Sequence, residues 1–192
     1  MRLSGRTHFI YTAEEAVLYD TVIEREIPCY HELHRVIRDV FPYDDTIQEL
    51  RYLELGIGTG NLTKYIIEAH ANIRVDGYDI SHQMLEIAHS KLQNYSERIQ
   101  LHCADVFEVS FSNNYHVASI FLCEDQERIF TKDFLSRIYH SLLSKGVFIV
   151  CCSAKIPEDS IEYPKTFLNT RLWAVRVLWE NSPFMLYEFR KL

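Results

Sequence analysis

Residues 54–62 read Glu-Leu-Gly-Ile-Gly-Thr-Gly-Asn-Leu, with three glycines in alternating positions. The preceding run Tyr52–Leu55 is apolar enough for a short strand, and Asn61–Ala69 has the apolar spacing of a helix. Glycines in the turn between them let the backbone bend sharply and let a ligand approach the main chain, while the helix start offers unpaired N–H groups. The pattern therefore predicts a binding site for a nucleoside-type ligand.

An acidic residue, Asp79, lies at the position where a nucleoside-binding site needs a carboxylate. The strand-like run Val75–Tyr78 ends at Asp79, which follows Gly56 at nearly the spacing of about 20 residues at which an acid reaches ribose hydroxyls. Ser81 is better placed to cap the next helix, which leaves Asp79 for a ligand. The glycine spacing differs from that of a dinucleotide site, whose last glycine would fall at Asn61, and no Lys follows to form a phosphate loop.

Apolar periodicity predicts two helices and then an alternation of strands and helices. Such an alternation favours an α/β fold with a mostly parallel, seven-stranded sheet and helices on both faces. The tail predicts an antiparallel hairpin at one edge of that sheet. The predicted helices are Ala13–Glu26, Pro28–Val40, Asn61–Ala69, His82–Leu92 and Lys132–Leu143, and the predicted strands are Tyr52–Leu55, Ile73–Tyr78, Ile99–His102, Val117–Leu122, Val147–Cys152, Arg171–Glu180 and Phe184–Arg190.

Composition and charge narrow the classes of function. With 192 residues the chain is the size of one domain, and 47% apolar residues are enough for a proper core. A formal charge of −7 argues against general nucleic-acid binding, which needs a basic surface. No apolar run approaches the ~20 residues of a membrane helix, and residues 1–11 lack the apolar stretch of a signal peptide. The odd number of cysteines, five, fits a reduced cytoplasm.

Taken together, these motifs resemble the class I S-adenosylmethionine-dependent methyltransferases. The family signature is an acid and G-x-G-x-G after the first strand, an acid after each of the next two strands, and a closing antiparallel strand. In this sequence the matching positions are Glu54–Gly60, Asp79, Asp105 and Phe184–Arg190. The resemblance covers residues 50–150 and implies a Rossmann-like methyltransferase fold with S-adenosylmethionine as the cofactor.

The same resemblance implies a cofactor-binding role for each matched position. The glycines, with Glu54 before them, would line the methionine and ribose, and the later positions would surround the ribose, the adenine and the reactive side of the cofactor. The implied residues are Glu54, Gly56, Gly58 and Gly60 at the turn, Asp79 at the ribose, Ile80 and Met84 around the adenine, Asp105 and Val106 at its edge, and Phe121 and Leu122 on the reactive side.

Residues 16–33 are similar to the subset of this family that includes carboxy-S-adenosylmethionine synthase. By that resemblance Tyr19 covers the cofactor, where an aromatic face beside a sulfonium makes a cation–π contact. The alternative is that Tyr19 and Tyr30 are amphipathic aromatics of the core. Only Ser153–Thr170 separates the fifth strand from the hairpin, so the helix usual there is shortened or lost. We therefore expect plain methyl transfer rather than carboxylation of the cofactor.

Candidate catalytic residues follow from the chemistry. Methyl transfer from a sulfonium depends mainly on positioning, yet a base helps when the acceptor is a hydroxyl or an ammonium. Tyr19, Glu124 and Asp125 are the candidates. Alternatively, the two acids belong to a solvated loop and helix start. No metal site is predicted, because the Cys, His, His pattern at positions 29, 31 and 34 lacks a fourth ligand.

The sequence thus predicts one methyltransferase domain over residues 1–192, with a helical lid (1–49), a cofactor-binding core (50–152), and a shortened connection and closing hairpin (153–192). We expect methyl transfer to a small-molecule acceptor in the cytoplasm. The alternatives are a carboxy-S-adenosylmethionine synthase-like or tRNA-modification-linked enzyme, and a non-catalytic cofactor-binding or regulatory subunit. We expect no membrane partner and no nucleic acid, while a homodimer or a partner chain could complete the substrate pocket.

Overall fold

The computed structural model describes residues 11–27, 29–41, 47–112, 114–123, 125–152, 173–179 and 185–192. Within these ranges six α-helices and seven strands form, together with one 3-10 turn at Gln93–Arg98. The helices are α1 (Ala13–Glu26), α2 (Tyr30–Arg38), α3 (Asn61–Ala69), α4 (His82–Lys91), α5 (Gln126–Ile129) and α6 (Lys132–Ser141). The strands are β1 (Leu50–Leu55), β2 (Ile73–Asp79), β3 (Ile99–Cys103), β4 (Tyr115–Phe121), β5 (Leu142–Cys152), β6 (Trp173–Trp179) and β7 (Met185–Lys191).

The seven strands form one sheet in the order β3-β2-β1-β4-β5-β7-β6. Strands β1 to β5 are mutually parallel, and β7 runs antiparallel to both β5 and β6. The predicted α/β fold with a mostly parallel sheet and an antiparallel hairpin at one edge is therefore confirmed. Since β2 and β4 flank β1, the chain order reverses at β1, and ligands of such sheets bind at the carboxyl ends of the strands beside this switch point.

Strand β1 shows how both faces of the sheet become covered. Tyr52 packs with side chains of α1, α2 and α3 on one face, whereas Leu53 packs with α5 and α6 on the other. Both side chains are fully buried, as expected for a parallel sheet whose successive residues point to opposite faces. The Tyr52 hydroxyl lies 2.6 Å from Ser119 Oγ of β4, so its polar atom is hydrogen-bonded within the core.

Some boundaries differ from those predicted. Helix α6 ends at Ser141 rather than at Leu143, because Leu142 already has an extended backbone (φ −87°, ψ 143°) and pairs with Tyr115. The short helix α5 was not predicted, since four residues are too few to show a helical period. Helix α2 begins at Tyr30. The predicted shortened connection over residues 153–170 lies outside the described residues.

Helix α1 begins with a capping box formed by Thr12 and Glu15. Thr12 Oγ1 accepts from the Glu15 N–H at 3.3 Å, and the Thr12 N–H donates to Glu15 Oε2 at 3.0 Å. Within the helix only Ala16 and Ile23 are buried, while Val17 and Leu18 are 72% and 59% exposed. Apolar packing of α1 against the rest of the protein is therefore thin. Among the described residues no helix is both long and apolar enough to cross a membrane.

Gly60, which caps the start of α3, gives a test of the packing between the glycine turn and α4. Its φ is +80°, and a Cβ placed there would lie 2.8 Å from Leu92 Cδ1. We expect Gly60→Ala to lower the free energy of unfolding by roughly 1–2 kcal/mol, from the left-handed backbone and the displaced Leu92 together. Urea denaturation of the ligand-free protein measures this loss.

Gly56→Ala is the matched control for this substitution. Gly56 has a similar φ of +73°, but a Cβ there would meet no atom within 4 Å. Gly56→Ala should therefore show the backbone contribution alone and destabilise the protein less than Gly60→Ala. Equal losses in the two variants would contradict a contribution from the contact with Leu92.

Candidate functional site

A cavity of about 200 Å³ opens where β1, β2 and β4 end, at the switch point of the sheet. Of the residues predicted to bind the cofactor or act in catalysis, eleven line it: Tyr19, Gly56, Gly58, Asp79, Ile80, Met84, Asp105, Val106, Phe121, Leu122 and Asp125. The remaining lining residues were not predicted and are Tyr11, Ala104, Phe107, Ile120, Cys123 and Arg128. Tertiary folding thus brings together residues that lie far apart in the sequence, from Tyr11 to Arg128.

Two predicted residues do not line this cavity, and a third cannot be placed. Glu54 lies beneath the glycine turn with 2% of its surface exposed, and Gly60 packs against α4. Direct contact of either residue with a ligand stays a prediction. Glu124 lies outside the described residues.

The glycine turn exposes main chain to the cavity. Gly56 and Gly58 have φ values of +73° and +55°, and a Cβ on either would meet no protein atom within 4 Å. The N–H groups of Gly56 and Ile57 donate to the Tyr78 carbonyl at 2.8 and 2.9 Å, which ties the turn to the end of β2. Since side chains rarely adopt this backbone, glycine keeps the turn open for a ligand to approach the main chain.

Asp79 ends β2 at the floor of the cavity. Its Oδ2 accepts from the Gly58 N–H and its Oδ1 from the Ser81 N–H, each at 2.8 Å. Burial raises the pKa of the Asp79 carboxyl above its usual value, while these N–H groups act in the opposite direction. A carboxylate has about four lone-pair positions, so the oriented group can still accept from hydroxyls in the cavity. Ser81 caps α4 by accepting from the Met84 N–H, as predicted.

Glu54 supports the turn from inside the protein. Its carboxyl accepts a hydrogen bond from the Thr63 hydroxyl of α3, which fastens the end of β1 to the helix that follows the turn. Burial and, to a smaller extent, the nearby charge of Asp79 raise the pKa of Glu54 to about 8, although hydrogen bonds from Thr63 and Tyr52 act in the opposite direction. The protonated form of Glu54 is therefore favoured at neutral pH.

Asp105, predicted to meet the adenine edge, has a cationic partner. Its Oδ1 accepts from the Phe107 N–H at 2.9 Å, and Arg128 Nη1 lies 3.2 Å from Oδ2. Arg128 also donates to Glu108 Oε1 at 2.6 Å and lies 4.3 Å over the Phe107 ring. Because an isolated Arg in an acidic stretch carries no sequence signal, this partner could be found only from the structure.

The structure separates the two tyrosines whose roles the sequence left open. Tyr19 lines the cavity and meets Tyr11 edge to face, with ring centroids 5.4 Å apart. Tyr30 instead lies in the core with 5% of its surface exposed. Its ring centroid lies 4.3 Å from that of His34 and 5.7 Å from that of Phe121. Burial lowers the pKa of His34 to about 3, so this imidazole is neutral.

The end of β4 bends sharply at the cavity. Leu122 has a φ of +53°, uncommon for a residue with a side chain, and its N–H donates to the Cys151 carbonyl at 3.0 Å. The bend places Phe121 and Leu122 together on the cavity wall. Asp125 also lines the cavity, and its Oδ2 lies 3.5 Å from Arg128 Nη1, which partly compensates its charge. The role of Asp125 as a base stays a prediction.

This strand order, the glycine turn after β1 and the acid at the end of β2 define a Rossmann-like methyltransferase fold of class I. Residues 53–146, from β1 into β5, match the family model described as "Methyltransferase domain". This part of the chain is therefore similar to a methyltransferase domain.

Two curated relatives carry the name carboxy-S-adenosyl-L-methionine synthase. The protein of Campylobacter lari is 22% identical over 161 residues, which cover 84% of this chain and 68% of that protein. The protein of Helicobacter hepaticus is 28% identical over 148 residues, which cover 74% of this chain and 61% of that protein. The chain thus spans between about three fifths and two thirds of the length of these relatives.

Among solved structures, one described as a DhpI–SAH complex has a TM-score of 0.67 to this chain at 16% identity, covering 93% of this chain and 92% of that one. At this identity the likeness shows the fold. These similarities support S-adenosylmethionine as the cofactor, and the described residues fit it: the Asp79 carboxylate lies at the cavity with acceptor capacity left for hydroxyls, and the main chain at Gly56 and Gly58 is open to the cavity.

Proposed function

We propose that this protein transfers a methyl group from S-adenosylmethionine to a small-molecule acceptor. The observation that carries the proposal is the cavity at the switch point, where Asp79 is oriented by the N–H groups of Gly58 and Ser81 beside open glycine main chain. Carboxylate and main chain together suit the hydroxyls of a nucleoside. The matched methyltransferase domain over residues 53–146 supports the same conclusion.

Each wall of the cavity has a separate task in this proposal. Asp79 binds the ribose hydroxyls, and Ile80 and Met84 offer apolar surface to the adenine. When bound, S-adenosylmethionine supplies an electrophilic methyl group on a positively charged sulfur. Phe121 and Leu122 exclude water from the reacting side, and Tyr19 turns an aromatic ring toward the cavity, where it favours a nearby positive charge. The barrier then falls mainly through positioning of the acceptor.

The size and charge of the protein support a small acceptor. The cofactor-binding core takes up residues 50–152, so only residues 1–49 and 153–192 remain to form an acceptor site. The net charge of −7 makes unaided binding of nucleic acid unfavourable. A second copy of this chain, or a partner chain, would complete the acceptor side of the pocket. All five cysteines are free thiols, which supports function in a reducing compartment, and we place the protein in the cytoplasm.

The second candidate function is a carboxy-S-adenosylmethionine synthase-like activity. It is favoured by the two relatives of that name, which together match between 74% and 84% of this chain. The two candidates differ in the product. Methyl transfer converts the cofactor into S-adenosylhomocysteine, whereas the synthase-like activity leaves a carboxylated cofactor on the protein.

Calorimetry and mass spectrometry of the purified protein separate these functions. We expect S-adenosylmethionine and S-adenosylhomocysteine to bind, and the demethylated product to accumulate when pools of small hydroxyl and amine compounds are offered as acceptors. A co-purified carboxylated cofactor would favour the synthase-like activity. Binding without product from any pool would favour a regulatory cofactor-binding subunit, and a protein that binds neither compound would contradict all three functions.

A further inference from the structure

Four polar side chains form a network behind the cavity, which we call the Asp20–Lys91 network: Asp20 of α1, Thr59 of the glycine turn, Asn61 of α3 and Lys91 of α4. Lys91 Nζ lies 2.6 Å from Asp20 Oδ2 and 3.0 Å from Thr59 Oγ1, and it also donates to Asn61 Oδ1. Asp20 Oδ1 accepts from the Thr59 hydroxyl at 2.5 Å and from Asn61 Nδ2 at 3.0 Å. The network therefore joins four separate elements of the fold.

The donors and acceptors of this network are matched. An ammonium group has three protons, and each has an acceptor, on Asp20, Thr59 and Asn61. The Lys91 side chain is 19% exposed and that of Asp20 is 37% exposed, so solvent screens the pair only in part. Burial would raise the pKa of Asp20, but the hydrogen bonds from Lys91 and Thr59 outweigh it and lower that pKa. Asp20 is therefore held as a carboxylate.

Two residues of the network are next in sequence to residues that line the cavity. Tyr19, which lines the cavity, precedes Asp20, and Thr59 stands between Gly58 and Gly60 in the turn. The Gly58 N–H in turn orients Asp79 at 2.8 Å. A displacement of Asp20 would thus change the positions of both Tyr19 and the glycine turn at the cavity.

Apolar packing alone does not hold α1 in place firmly. Only Ala16 and Ile23 are buried within this helix, and Val17 and Leu18 face solvent. The hydrogen bonds of Asp20 therefore add to the core contacts of Ile23 and Tyr19 in fixing the position of α1 relative to the turn and α4.

We propose that Asp20 and Lys91 are positioning residues that couple the docking of α1 to cofactor binding, by holding Tyr19 at the cavity and the glycine turn in its open form. The proposal rests on the cofactor site of the proposed function. Neither residue lines the cavity, so they act through Tyr19 and the turn.

The test compares Asp20→Asn and Lys91→Met with matched controls. Glu26→Gln changes an exposed acid on the same helix, and Lys64→Met removes an exposed lysine from α3. Calorimetry with S-adenosylmethionine should give dissociation constants that are roughly 10-fold weaker for the two network variants and unchanged for the controls. The double variant should bind about as weakly as either single one, because both substitutions break the same network.

Hydrogen exchange of the ligand-free proteins separates positioning from global stability. In the network variants the amides of α1 should exchange faster, while those of β1 and β4 keep wild-type protection. The proposal is overturned if both variants bind S-adenosylmethionine as tightly as wild type, if the losses in the double variant add, or if protection is lost equally in the sheet. Failure of the wild-type protein to bind the cofactor would instead contradict the proposed function.

Discussion

Asp79→Ala is expected to weaken the binding of S-adenosylmethionine by about 10- to 100-fold, the cost of roughly 1–3 kcal/mol for unmaking charged hydrogen bonds in a buried site. The substitution removes the acceptor for the ribose and also the partner of the Gly58 and Ser81 N–H groups. Because both losses fall on the floor of the cavity, the effect should be among the largest of any single side chain. Isothermal calorimetry with S-adenosylmethionine and S-adenosylhomocysteine measures it.

Asp133→Ala is the control for this substitution. Asp133 lies in the first turn of α6 with its side chain 83% exposed, away from the cavity. Its removal should leave the affinity unchanged. Wild-type affinity in Asp79→Ala would show that the ribose binds elsewhere, and the thermal midpoint of each ligand-free variant separates weaker binding from misfolding.

Glu54→Gln should raise the stability of the protein at alkaline pH. Burial raises the pKa of Glu54 to about 8 in the folded state, whereas an unfolded glutamate titrates near ~4.3. Between these values the folded chain holds a proton that the unfolded chain has released, so wild-type stability is full at low pH and falls as pH rises to about 8. Above that pH the loss is complete, at roughly 5 kcal/mol, because each unit of pKa difference corresponds to about 1.4 kcal/mol.

The measurement is the free energy of unfolding in urea at several pH values from 5 to 9. Gln has nearly the same shape and can still accept from the Thr63 hydroxyl, but it does not titrate. The difference between Glu54→Gln and wild type should therefore grow in favour of the variant as pH rises. Glu68→Gln, at an exposed position on α3, is the control variant. A difference independent of pH would mean that Glu54 titrates normally.

Local signals explain why the floor of the site could be predicted from sequence. The glycine turn needs only a strand before it and a helix after it, and both are visible as apolar periodicity in residues 50–69. Asp79 follows from the end of the next strand, and its hydrogen-bond partner Ser81 is two residues away. Parallel strands then bring these carboxyl ends to one edge of the sheet.

Contacts between distant residues could not be predicted in this way. Asp20 and Lys91 are separated by 71 positions, and their ion pair depends on how α1 packs against α4. Arg128 reaches Asp105 across 23 positions because α5 follows a bend at Leu122. Neither ion pair leaves a periodic pattern in the sequence. The chain has many acidic and basic residues, and the sequence alone does not show which of them pair.

The order of strands and helices, the glycine turn and its partner Asp79 were determined by the amino-acid sequence alone, because each depends on backbone preferences and apolar spacing over a few neighbouring residues. Tertiary structure decided which of two similar tyrosines lines the cavity, Tyr19 rather than Tyr30. It also decided that Glu54 lies beneath the turn and carries a raised pKa. Burial and pairing are properties of the whole packed chain, so they emerge only when distant elements meet.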